Sequence, residues 1–106
     1  MPKYLVQASY TAEGSKGLIK DGGSTRRAAV EAMAKGLGGR VESFYYAFGD
    51  VDVYVVVEVP DNVTAAAMSL AVNASGAVTL KVTPLLTPED IDNATKKTVV
   101  YRAPGQ

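Results

Sequence analysis

The chain contains no cysteine and no histidine. The first absence excludes disulfides, thiolate nucleophiles and cysteine-ligated metals. The second removes the side chain best suited to proton transfer near neutral pH, which is also the commonest metal ligand. Carboxylates alone suit Mg²⁺ or Ca²⁺, but no clustered acidic spacing is present and no metal site is expected. Neither a Walker pattern nor a dinucleotide fingerprint occurs, and no cofactor is expected. Charge of one sign is lacking too: 11 basic and 11 acidic residues cancel. No bulk field therefore draws nucleic acid or an anionic membrane. No apolar run reaches the roughly 18 residues of a membrane span. Met1-Pro2-Lys3-Tyr4 leads directly into a strand pattern without a charged leader, so the expected location is the cytoplasm. Asn62, Asn73 and Asn93 each begin an Asn-x-Ser/Thr triplet. Without an export signal these triplets are read as chance.

What remains is a chain of 106 residues, the size of one domain. Residues 1–96 are assigned to that domain and residues 97–106 to a C-terminal tail. Lys3–Tyr10 reads as a strand, and Thr11–Ser24 as an irregular Gly-rich segment with one helical turn at Leu18 and Ile19. Thr25–Leu37 is a helix whose apolar stripe is Ala29, Met33 and Leu37, with Val30 beside it; Gly38-Gly39 ends it. Strands Arg40–Phe48 and Val51–Val59 follow, joined by a tight turn at Gly49-Asp50. A second helix, Val63–Ala74, carries Ala66, Ala67, Leu70, Ala71 and Ala74 for close approach to the sheet. Ala77–Leu86 is a fourth strand, and Thr87-Pro88-Glu89-Asp90 starts a short last helix. The order β-α-β-β-α-β is an α+β, ferredoxin-like arrangement: a four-stranded antiparallel sheet, strand order 4-1-3-2, with two helices on one face.

The hairpin fixes which residues share a face. A two-residue loop at Gly49-Asp50 sets Tyr45 opposite Tyr54, Ser43 opposite Val56 and Val41 opposite Glu58. Alternation then sends Phe44, Tyr46 and Phe48 to the helix side with Val53, Val55, Val57 and Val59. The bare side carries Ser43, Tyr45, Asp52, Tyr54, Val56 and Glu58, extended by Leu5, Gln7, Ser9, Thr79, Lys81 and Thr83. Two readings of this face compete. It is either an ordinary solvated surface with a Lys81–Glu58 pair, or a surface that two subunits press together around a cavity. The second is preferred, because Leu5, Val56 and two tyrosines form a sizeable apolar patch.

Within that cavity Tyr45, Tyr54, Lys81 and Gln7 are candidate ligand-binding residues. Glu58 and Asp52 are candidate catalytic carboxylates, able to move a proton while Lys81 or a tyrosine stabilises negative charge. The bland alternatives are a cross-strand tyrosine pair and a turn carboxylate that accepts backbone N–H groups. Lys20, Arg26 and Arg27 flank Gly22-Gly23-Ser24-Thr25 and form a weak candidate anion site. Thr98-Val99-Val100-Tyr101 is β-prone and is either disordered or paired with a sheet edge of its own or a neighbouring subunit.

Gly49-x-x-Asp52, the valine run, Glu58-x-Pro60-Asp61 and the Ala-rich helix resemble the GYD-domain proteins. Tyr4, Tyr10-Thr11, Gly14, Lys20-Asp21, the Arg26 helix and Gly38-Gly39 are similar as well, over about residues 3–92. The chain departs from the family at the signature tyrosine, where Val51 stands, and in a longer tail after Ala94. The resemblance implies a ferredoxin-like, dimeric α/β-barrel protein of bacterial type, and implies no activity. Two functions follow as expectations. One is a homo-oligomeric small-molecule-binding or structural domain with its pocket between facing sheets. The other is a cofactor-free enzyme, monooxygenase- or isomerase-like, acting on an aromatic or carbonyl compound.

Overall fold

The computed structural model describes all 106 residues. The elements are β1 (Lys3–Tyr10), α1 (Ala12–Asp21), α2 (Gly23–Gly36), β2 (Arg40–Tyr46), β3 (Val53–Glu58), α3 (Asn62–Ala74), β4 (Val78–Leu85) and α4 (Pro88–Thr95). The protein is thus an α+β molecule with one four-stranded antiparallel sheet and four helices. The strands lie in the order β2-β3-β1-β4, the 4-1-3-2 order expected.

Alternation along the two central strands makes the core. Tyr4, Val6 and Ala8 of β1 and Val53, Val55 and Val57 of β3 turn to one side and are buried. Val59, Val78, Ala34 of α2, and Ala65 and Met68 of α3 are buried as well. Each buried valine contributes about 1.5–3 kcal/mol relative to exposure, so these central strands hold the helices in place. The Tyr4 ring is buried, and its hydroxyl donates to Asn62 Oδ1 at 2.5 Å, tying β1 to the first turn of α3.

Caps decide where the helices begin. Thr11 accepts from the Gly14 N–H, and Asp61 from the Thr64 N–H. Thr87 and Asp90 form a reciprocal capping box with Pro88 at the first helical position. The Thr11 cap makes α1 a complete helix where the glycines of 11–24 suggest irregular chain. Thr11 Oγ1 also donates to the Gly76 and Ala77 carbonyls, at 3.0 and 3.2 Å, which anchors the start of α1 to the α3–β4 turn. Gly22, at φ 84°, turns the chain from α1 into α2.

The faces that the two main helices turn to the sheet depart in part from expectation. In α2 the expected Val30 and Met33, with Leu37 at its C-cap, do turn inward, but Ala34 is buried in place of Ala29, which is exposed. In α3 the buried positions are Ala65 and Met68, with Val72 against the core, whereas Ala66, Ala67, Leu70, Ala71 and Ala74 are exposed. This helix is apolar nearly all round, so its periodicity does not select a face. The long Met68 side chain does, by filling space that alanine leaves empty.

The hairpin departs from ideal at both ends. A bulge at Val41/Ser43 sets Val41 opposite Val57 and brings Arg40, not Val41, opposite Glu58. The ladder stops at Tyr46–Val53, and Phe48 is 101% exposed rather than on the helix side. Asp52 causes the wider turn: its N–H donates to the Ala8 carbonyl and its carboxylate accepts the Tyr10 N–H at 2.8 Å, holding the loop base to β1. The Tyr46 ring packs edge-on to Phe44, and its hydroxyl donates to the Gly23 carbonyl at 2.9 Å.

No residue of α4 is buried, and Val99, Val100 and Tyr101 lie exposed outside any strand. The radius of gyration is 16.9 Å, against about 13 Å for a compact chain of this length.

Gly39 packs where a Cβ would meet the Glu58 carbonyl oxygen at 1.9 Å, while a Cβ on Gly36 meets nothing. Gly39→Ala is expected to lower stability by about 1–3 kcal/mol. Gly36→Ala is expected to raise it by about 0.4–1 kcal/mol. Urea titrations of both variants check this pair.

Candidate functional site

Registers on the uncovered side of the sheet place side chains in rows. Gln7 is opposite both Lys81 and Tyr54, and Tyr54 is opposite Tyr45. Lys81, Gln7, Tyr54 and Tyr45 thus form one row across all four strands, spanning about 14 Å at the usual strand spacing. These are the residues that the sequence nominates for ligand binding. The next row is Thr83, Leu5, Val56 and Ser43; the third is Leu85, Lys3, Glu58 and Arg40. Tyr45 is 71% and Tyr54 40% exposed. In a single chain these rings, with the half-buried Leu5 and Val56, form an unpartnered apolar surface.

The candidate carboxylates lie apart from that row. Glu58 does not meet Lys81 and Gln7, as the sequence suggests, because its partner on β1 is Lys3, four residues from Gln7. At the rise of an extended chain that separation is about 13 Å. Glu58 instead forms an ion pair with Arg40 and lies 4.0 Å from Lys3 Nζ. Lys3 Nζ also donates to Glu42 Oε1 at 2.8 Å, and this bond holds the Glu42 carboxyl below its ordinary range. The four charges make a network at one end of the open face. Asp52 sits at the other end, occupied by the Tyr10 N–H.

The three basic residues of the α1–α2 junction do not converge. Lys20 is exposed on α1, Arg27 pairs with Glu31 of its own helix at 3.1 Å, and Arg26 alone turns toward the interior. Around Arg26 lies a site that sequence reasoning missed: a small apolar cavity between the helices and the sheet, beside a cleft against α1 that shares Arg26, Met33, Val72 and Val78 with it. The signal for it was the Thr11 cap that makes α1 a helix.

A small α+β domain with one sheet face covered by helices and the other open defines the class of protein. A family model described as GYD domain matches residues 4–95. The chain belongs to the GYD domain family. Neither the curated proteins nor the solved structures yield a match to it. No helix is long and apolar enough to cross a membrane.

Asp52→Ala leaves the Tyr10 N–H without its partner and is expected to cost about 1–3 kcal/mol, measured by chemical denaturation. Glu42 supplies a pH prediction. Its folded carboxyl titrates below its unfolded value, so its contribution to stability is present above the unfolded pKa and lost as pH falls through the folded one. Lys3→Met should move the Glu42 titration back up, which side-chain carbonyl NMR reads directly.

Proposed function

We propose that the protein is a self-associating, small-molecule-binding domain of ferredoxin-like type, in which a second copy covers the open sheet face. The copies enclose a chamber whose floor is the row Lys81, Gln7, Tyr54 and Tyr45. That row carries the reading. It sets two aromatic rings, an amide and an ammonium group in one line at the centre of a surface that also exposes aliphatic side chains. Such a line offers stacking and hydrogen bonds to a planar or aromatic ligand. The apolar residues of the C-terminal arm support self-association independently. Leu86, Ile91, Val99, Val100 and Tyr101 are exposed and meet nothing in their own chain that buries them.

The alternative of a cofactor-free enzyme, with Glu58 or Asp52 carrying a proton, has less support. Glu58 is engaged by Arg40 and Lys3, and Asp52 by the Tyr10 N–H. Both carboxylates are therefore occupied in holding the sheet.

Val56 lies in the row beside that of Tyr54 on the open face, opposite Leu5 and Ser43. Val56→Asp would place an unpaired charge in the proposed interface, at a cost of several kcal/mol per buried ion. Light scattering should show twice the chain mass for the natural protein, and at least about 10-fold weaker association for the variant. An unchanged dimer would count against this interface.

A further inference from the structure

The outer side of α3 is a second apolar surface, across the sheet from the proposed chamber. The 13 residues of this helix include no charged side chain. Ala65, Met68 and Val72 face the core, while on the opposite side Val63 is 79% and Leu70 72% exposed. Ala66, Ala67, Ala71 and Ala74 are exposed beside them. At about 100° per residue these six positions fill an arc of about 140°. The exposed side of α2 is built differently, with Arg27, Glu31 and Lys35 in water.

Spacing along the arc selects the partner. Val63, Ala67, Leu70 and Ala74 recur at steps of four, three and four residues, the spacing of a coiled-coil seam. Large and small side chains alternate along that seam. A parallel pair of such helices would set Leu70 against Leu70 and alanine against alanine, leaving gaps at every second layer. An antiparallel pair, about a twofold axis between Met68 and Ser69, sets Val63 against Ala74 and Leu70 against Ala67. Ala66 then meets Ala71. Each large side chain fills the space over an alanine, so the seam is complementary to itself. The same arrangement brings each helix N-terminus beside the C-terminus of the other, the favourable alignment of dipoles. A lipid surface fits less well, because helices that lie on membranes carry Lys or Arg on the polar face and α3 has neither.

We propose that the outer side of α3 is a self-docking surface, on which α3 of a second copy packs antiparallel with Leu70 of each copy over Ala67 of the other. At about 1.5 Å of rise per residue and about 10 Å across, the helix offers roughly 200 Å² per copy, less than a stable interface needs. The contact is therefore weak: absent in dilute solution, it links copies as concentration rises. It lies on the opposite side of the sheet from the open face, so the two surfaces do not compete and association through both goes beyond two chains.

The absence of cysteine makes the register directly testable. Ala66→Cys and Ala71→Cys variants, one of them ¹⁵N-labelled, are mixed and oxidised. Both positions are exposed, so neither change threatens the fold. Mass spectrometry should find the mixed disulfide in excess of the half share that random pairing gives. In sedimentation, Leu70→Glu should weaken the step that appears at high concentration at least about tenfold. Adding Val56→Asp to both cysteine variants should leave the mixed cross-link in place, which separates this contact from the one proposed on the sheet. If the sheet contact alone fails, the natural protein stops at two chains and Leu70→Glu leaves single chains. A mixed disulfide no more frequent than random pairing overturns the proposal, as does association that Leu70→Glu leaves unchanged at every concentration. Leu70-dependent binding to phosphatidylcholine vesicles without the cross-link overturns it too, and assigns this side of α3 to a lipid surface.

Discussion

The burial of alternate residues along β3 is the constraint on which the rest of the molecule depends. Val53, Val55 and Val57 lie at 1–3% exposure between β1 and β2, so this strand is committed to one orientation. A shift of one residue would bring Tyr54, Val56 and Glu58 under the helices and force a carboxylate into a dry core, at a cost far above that of any surface contact. The same alternation that seals the helix side lays Tyr54 on the other side, in line with Gln7, Tyr45 and Lys81. Core packing and candidate site are therefore two consequences of one periodic pattern.

The ends of the open face are stabilised by charge and backbone bonds rather than by packing. Glu58, Arg40, Lys3 and Glu42 clamp three strands at one end. Asp52 ties the hairpin loop to β1 at the other. The exposed Lys3–Glu42 pair contributes little by itself, about 0–1 kcal/mol, and the Glu58 carboxylate is largely covered, but together these pairs fix which strands stay in register where the apolar rows end. They also explain why the centre of the face, free of ion pairs, is the part suited to a ligand or a second copy.

The legible parts of the fold were those where pattern and burial coincide. Val-x-Val-x-Val along β3 and the Tyr45–Tyr54 pairing followed from alternation and from the glycine-marked turn. Harder to read were elements whose faces are chosen by volume. In α3, alanines on every side left the choice to Met68, and in α2 Ala34 turns inward in place of Ala29, two small residues that the apolar stripe does not tell apart. The first helix was hidden by its glycines; Gly14 is required there because a Cβ would lie 2.0 Å from the Ala77 carbonyl oxygen. The bulge in β2 left no mark in the sequence, and it moved Arg40 to Glu58. Of the site, the row of four ligand-binding candidates was legible. The expected Glu58–Lys81 contact does not form, because strand order alone carries no information about height along the strands.

A covered open face is the claim that organises the functional reading, and side-chain accessibility addresses it most directly. Proton relaxation of the tyrosine and phenylalanine rings by a soluble gadolinium chelate separates rings in water from rings in an interface. At concentrations where the protein is assembled, Tyr45 and Tyr54 should be protected relative to Phe48, which stands free at the hairpin tip. Relaxation of Tyr45 as strong as that of Phe48 would contradict a second copy on this face.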